Sequence, residues 1–146
     1  MSKYHIPVLL HEVLEHLRIQ NGKKYIDATV GGGGHSSEII TRGGQVLGID
    51  VDSDALAQTK KTIDKTSLLL VQGNFKDIGK IAKVHGFTNV AGVLFDFGVS
   101  SFQLDTPEKG FSFMHDGPLD MRMDTTLEVR AADLVNGLTR QELYEL

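Results

Sequence analysis

The chain has no cysteine and no tryptophan, only three prolines, and a formal net charge of −4 over 146 residues. Without cysteine there are no disulfides and no thiolate metal ligands. Without a basic excess there is no wholly basic surface for general nucleic-acid binding, although a local patch suffices for phosphate contacts. No apolar run approaches the roughly 18 residues of a membrane span. The start, Met1-Ser2-Lys3-Tyr4-His5, lacks the charged-then-apolar pattern of a secretory signal. A cytoplasmic protein with no membrane partner is the expectation. What the sequence does have is glycine: 16 residues, clustered instead of spread. The length fits one domain with a real core.

Apolar residues at Val8, Leu9, Leu10, Val13, Leu14 and Leu17 have helical spacing, and Pro7 suits a first helical turn. Asn21-Gly22 stops this helix, and Lys24 to Val30 reads as a strand ending in Gly31-Gly32-Gly33-Gly34. A helix over His35 to Thr41 closes at Arg42-Gly43-Gly44. Gln45 to Val51 is a second strand, and Ser53 is the expected N-cap of a helix over Asp54 to Ile63. Ser67 to Gln72 is a third strand, a helix follows around Lys76 to His85, and Asn89 to Phe97 is a fourth strand. This alternation predicts an α/β fold with a parallel sheet flanked by helices. After Ser101 the rhythm changes to a long irregular stretch over residues 102–124, with helical pattern again from Leu127 and from Thr139. Four strands are fewer than the five or more of a doubly wound sheet, so a truncated chain is expected.

The strongest local feature is Asp27-Ala28-Thr29-Val30 followed by four glycines, His35 and Ser36. Glycines between a strand and a helix let a ligand approach the backbone, and the helix start offers free N–H groups. A tight βα turn is the plainer reading, but four glycines exceed what a turn requires. The dinucleotide fingerprint G-x-G-x-x-G is not met, because Ser36 and Ser37 stand where its third glycine falls, and the G-x-x-x-x-G-K-[ST] phosphate loop is absent. Asp50, at the end of the second strand, suits ribose hydroxyls; Asp52 points to the same side in an extended chain. Both also fit plain strand-end solvation. Phe75 and Asp96 end strands three and four, where ligands of open α/β sheets bind. There an aromatic ring covers an adenine face and a carboxylate accepts from its amine. Taken alone, Phe75 reads more readily as a core residue than as a base platform. An adenosine ligand without a pyrophosphate loop fits these positions together.

Two other patterns fail. Asp96-Phe97-Gly98 spells a kinase metal motif without its H-R-D or V-A-I-K companions. His11 and His16 bracket an apparent zinc-protease helix, but five residues put them about 140° apart. No metal is expected, and both histidines are expected at the surface. The segment Gly110 to Asp124, with Phe111, Phe113, Met114 and Arg122, leaves two readings open: a receiver for a planar substrate such as an unstacked base, or an ordered loop filling a small satellite core.

These blocks together resemble the bacterial ribosomal RNA methyltransferases that modify the exocyclic N4 of a 16S decoding-region cytosine. The resemblance rests on His5-x-Pro7-Val8-Leu9-Leu10, Asp27-x-Thr29-x-Gly31-x-Gly33-Gly34-His35-Ser36 and Gly48-Ile49-Asp50-x-Asp52. Its most specific part is Asp96-Phe97-Gly98-Val99-Ser100-Ser101-x-Gln103-Leu104-Asp105, Gly110-Phe111-Ser112-Phe113 and Pro118-Leu119-Asp120-Met121-Arg122-Met123. It implies a Rossmann-like class I methyltransferase fold using S-adenosylmethionine, with cofactor contacts at Gly33, Gly34, His35, Asp50, Phe75, Asp96 and Gln103. It further implies that residues 1–105 are an incomplete cofactor-binding core and 106–146 the start of an inserted helical substrate-recognition domain. Small-subunit ribosomal RNA, free or in the assembled subunit, is the implied partner, and a homodimer is compatible. Many amino-methyltransferases carry [Asn/Asp]-Pro-Pro-aromatic after strand four; here Asp96-Phe97-Gly98-Val99 lacks both prolines. Asp96 is the candidate catalytic group, and whether it serves cofactor, amine or both stays open. Two alternatives remain: a cofactor-binding module without catalysis, expected if the substrate domain is incomplete, and a nucleotide-dependent oxidoreductase on the same fold.

Overall fold

A computed structural model describes residues 7–63 and 66–146; His5 lies outside the described residues. The chain divides into two compact units, Met1–Gly98 and Val99–Leu146. The first unit holds a sheet of four parallel strands, β1 (Lys24–Asp27), β2 (Gln45–Asp50), β3 (Leu68–Gln72) and β4 (Gly92–Leu94), in the order β3-β2-β1-β4. That is the order of the first four strands of the doubly wound Rossmann-like sheet, whose direction reverses beside β1. Its helices are α1 (Leu10–Leu17), α2 (Gly34–Thr41), α3 (Ser53–Thr62) and α4 (Ile78–Val84), the last entered through a 3₁₀ turn at Phe75–Asp77.

Successive strand residues face opposite sides, and each side has its own core. Tyr25 and Val46 pack with Leu14 of α1 and Ile39 of α2, while Ile26, Leu47 and Ile49 pack with Ala82 of α4. Both faces of β1 and β2 are therefore buried, and these strands read as apolar runs for that reason. Each fully buried side chain of this size contributes roughly 1.5–3 kcal/mol.

Several local expectations are corrected. Pro7 is not in a first helical turn: Leu9 adopts a left-handed conformation (φ 52°) as N-cap, so the helix begins at Leu10. Val8 and Leu9 consequently leave the buried stripe and are exposed. The cap of α3 is Asp52 and not Ser53; its carboxylate accepts from the N–H of Asp54 at 3.0 Å. Asp52 is thus buried and turned to its own helix instead of lining up beside Asp50 as a second ribose group. Strand β1 ends at Asp27, not Val30, and β4 at Leu94, not Phe97, because their pairing stops at Asp27 opposite Leu94. His11 and His16 are exposed, as expected.

The second unit contains α5 (Ser101–Leu104), a 3₁₀ turn at Pro107–Lys109, α6 (Ala131–Gly137) and α7 (Arg140–Glu145). The helical pattern from Leu127 begins as helix only at Ala131, where the Asp133 carboxylate accepts from the N–H of the N-cap Arg130 at 2.9 Å. Thr139 caps α7 reciprocally: its hydroxyl accepts from the Glu142 N–H, and the Glu142 carboxylate accepts from the Thr139 N–H at 2.8 Å. Between the 3₁₀ turn and α6 the chain closes a loop on itself. A Cβ at Gly110 would lie 2.1 Å from the Pro118 carbonyl oxygen, and one at Gly117 2.1 Å from that of Pro107. Asp120 grips the Arg122 guanidinium with both oxygens at 2.8 Å, and Arg122 in turn donates to the carbonyl of Leu127. Among the described residues no helix is long and apolar enough to cross a membrane.

Candidate cofactor site at the strand ends

The glycine turn begins where β1 stops pairing. Its four glycines divide into two kinds. Gly33 has φ +78°, and a Cβ there would come within 2.7 Å of Thr59 and Ile63, so the chain's own packing demands glycine. Gly34 is similarly pressed by the Pro7 ring. Gly32 has nothing within 4 Å of where a Cβ would stand. Packing therefore accounts for part of the run, and the open side of the turn is at Gly32. The turn is fastened elsewhere: Thr59 donates to the Gly31 carbonyl at 2.6 Å, and the Gly31 N–H donates to Asp50 Oδ2 at 2.8 Å.

Helix α2 starts at Gly34, and its first bonded amide is that of Ser37, which donates to Gly33. The N–H groups of Gly32, Gly34, His35 and Ser36 find no acceptor among the described residues. Together they make the turn and the start of α2 electropositive. His35 contributes to it only through its backbone. Its imidazole is buried, and Nε2 donates to the Val8 carbonyl at 3.1 Å, tying the segment before α1 to the start of α2.

Asp50 lies at the end of β2, half-buried. Each of its oxygens accepts one N–H, from Gly31 and from Asp52 at 2.9 Å, and each keeps a lone pair to spare. Burial raises its pKa above the ordinary carboxylate value, against the pull of those two N–H bonds. Beneath the turn is Asp27, which heads the glycine motif but to which the sequence alone assigns no role. It is 2% exposed, accepts from Ser36 Oγ at 2.7 Å and from the Thr29 N–H at 3.3 Å, and burial raises its pKa to about 6.

Phe75 is not a core residue: it is 39% exposed, in edge contact with Phe95 at 5.9 Å and Phe97 at 5.6 Å. Phe95 and Phe97 stack at 5.5 Å. The three rings make an aromatic surface at the carboxyl ends of β3 and β4. Asp96, between two of them, is half-buried; its N–H donates to Thr29 Oγ1 at 2.7 Å, and its carboxylate accepts no hydrogen bond among the described residues. The first unit thus brings Gly33, Gly34, His35, Asp50, Phe75 and Asp96 to the strand ends of one sheet. Gln103 belongs to the second unit, where it is buried, its side chain accepting from the Ser100 N–H at 2.9 Å.

The residues that hold the turn from behind are Asp27, Thr29 and Ser36, members of the glycine motif to which the sequence alone assigns no role, and Thr59, to which the sequence does not point. Asp27 and Thr29 carried a signal in their i, i+2 spacing at the strand end. Thr59 had none, since it reaches the turn from 28 residues away.

The family described as the MraW methylase family matches residues 2–146. A protein of Carboxydothermus hydrogenoformans named ribosomal RNA small subunit methyltransferase H is 50% identical over 149 residues, covering 100% of this chain and 48% of that protein. Its namesake in Finegoldia magna is 43% identical, covering 98% of this chain and 47% of that protein. The chain spans about half the length of the curated relatives it matches. Among solved structures, one described as a putative S-adenosylmethionine dependent methyltransferase from Listeria monocytogenes is 28% identical with a TM-score of 0.43, covering 46% of this chain and 31% of that one.

Proposed function

The chain belongs to the MraW methylase family, and on that premise we propose that it supplies the cofactor site of an S-adenosylmethionine-dependent methyltransferase. The observation that carries this reading is the set of four unspent N–H groups at the turn and the start of α2, flanked by the spare lone pairs of Asp50. Those groups fit the cofactor's two polar ends: N–H donors suit its carboxylate, and a carboxylate at a strand end suits ribose hydroxyls. Phe75 offers a ring to an adenine face, and Gly33, Gly34 and His35 act through their backbone. Asp96 and Gln103 complete the proposed set. No dinucleotide loop is present, which counts against a nucleotide-dependent oxidoreductase.

The proposed acceptor is the exocyclic N4 of a cytosine in the decoding region of small-subunit ribosomal RNA, in the cytoplasm. The bound cofactor supplies an electrophilic methyl group on a sulfonium sulfur. The chain's own task is to orient the amine, whose lone pair is delocalised into the ring, and to receive the proton the nitrogen releases as its bond to carbon forms. Asp96 has the free carboxylate for both. Residues 1–105 are proposed as the cofactor-binding core and 106–146 as the start of the substrate-recognition domain.

A second reading is that residues 1–146 taken alone bind the cofactor without turning over. One experiment separates these. The chain and its full-length relative are titrated with S-adenosylmethionine and with a nicotinamide dinucleotide, then incubated with labelled cofactor and small-subunit RNA. Binding of the first ligand only, with label on cytosine N4 in the full-length reaction, is expected. Preference for the dinucleotide, or label on another nucleoside, sinks the proposal.

A further inference from the structure

We infer that Thr29 is a positioning residue that holds Asp96 in place through its hydroxyl, an inference that rests on the proposed methyl transfer. The parallel ladder between β1 and β4 ends at Asp27 opposite Leu94, with one more backbone bond, from the Ala28 N–H to the Leu94 carbonyl at 2.9 Å. Beyond it the strands part. The next N–H of β4 on that side, from Asp96, has no backbone acceptor on β1; it donates to Thr29 Oγ1 at 2.7 Å instead. A side chain thus takes over from the ladder where the chain departs toward the site. Among the described residues this is the bond that ties Asp96 to β1, because its carboxylate has no partner and cannot fix its own position.

Thr29 is itself held. Its N–H donates to Asp27 Oδ1, and the other oxygen of Asp27 accepts from Ser36 in the first turn of α2. One network therefore links the helix that begins at the glycine turn, the end of β1 and the start of the loop after β4. A hydroxyl provides one donor and two acceptor positions. Thr29 uses one acceptor on Asp96, and its proton has no acceptor among the described residues. Valine matches threonine in shape but lacks the acceptor; serine keeps the acceptor and loses only the methyl group.

The test uses the full-length protein, with Thr29→Val and Thr29→Ser. Amide exchange is read at Asp96 and, as an internal control, at Ala28, whose bond belongs to the ladder. In Thr29→Val, exchange at Asp96 is expected to quicken while that at Ala28 stays put. The kcat for methyl transfer is expected to fall roughly tenfold, the loss of one ordinary hydrogen bond, with S-adenosylhomocysteine affinity within about threefold of wild type. Thr29→Ser is expected to restore both readouts. Unchanged exchange at Asp96 in the valine variant overturns the inference whatever the enzyme does. Quickened exchange with full kcat overturns the positioning role, and equal quickening at Ala28 makes Thr29 merely structural. Absence of methyl transfer by the wild-type protein sinks the functional reading and this inference with it.

Discussion

In the first unit every face of the central strands is covered, and all apolar residues buried among the described ones lie between Leu14 and Leu94. In the second, residues 99–146, Phe113, Met114 and Tyr144 stand almost fully exposed. Order there comes from carboxylates gripping guanidinium groups and from glycines that let two stretches of backbone meet. The carboxylates of the two units behave in opposite ways. Asp27 is driven toward its neutral form by burial; half-buried Asp120 is held ionised, near 2, by Arg122. A unit with a core tolerates a buried carboxyl behind its strand ends, whereas a unit without one depends on its charges.

Truncation in the core should show this contrast most strongly. Leu47→Ala, at a site with 0% exposure, is expected to cost about 2–5 kcal/mol in urea denaturation. Phe113→Ala is expected to stay within about 0.5 kcal/mol. Equal losses would erase the distinction between the units.

The next largest effect concerns pH. Because the folded pKa of Asp27 is raised from 3.8 to about 6, its contribution to stability is complete below about 4 and lost as pH rises through 6. The difference between wild type and Asp27→Asn is expected to move in favour of wild type on acidification from pH 7 to 4, by on the order of 2–3 kcal/mol. A difference that is flat across this range would place the Asp27 charge in water.

Gly32→Ala sharpens the comparison within the first unit. Its added Cβ meets no protein atom within 4 Å, so the melting temperature should hold, while affinity for S-adenosylmethionine drops roughly tenfold or more in calorimetry. A melting point lowered with affinity retained would turn the glycine turn back into a mere connection.

The smallest effect is that of Asp120. Held near 2, it supports the second unit above about pH 4 and ceases to as pH falls through 2. An NMR titration should find its midpoint near 2 in wild type and closer to the ordinary value in Arg122→Ala. A wild-type midpoint near 4 would mean that the Arg122 contact does not persist in solution.

The sequence made the first unit legible because its physics is periodic. Apolar runs at Gln45–Asp50 and Leu68–Gln72, alternating with helices, dictate a parallel sheet before any contact is known. It misjudged edges decided by single side chains. Asp52 outcompetes Ser53 for the cap because its carboxylate reaches the N–H of Asp54, and β4 ends early because the hydroxyl of Thr29 takes the amide of Asp96. The strand-end positions Asp50, Phe75 and Asp96 were legible from topology, but not the buried Asp27 behind them. Arg122 showed the limit most plainly: beside aromatics it reads as a substrate group, yet the fold spends it on Asp120 and the Leu127 carbonyl. Nothing in a two-residue spacing foretells that. Phe113, by contrast, fills no satellite core, which leaves the base-receiving reading of that loop to the exposed ring alone.

The strand order carries a consequence for how the molecule is made. Strand β1 is first in the chain but lies inside the sheet, and one of its neighbours is β4. The amide of Asp96 meets Thr29 across 67 residues of chain. At ordinary rates of synthesis, that separation takes roughly 3 to 13 s to emerge. For that interval the nascent chain has a half-paired strand with one hydrogen-bonding edge open to any extended segment nearby, and Asp96 joins the strand-end cluster only when β4 arrives.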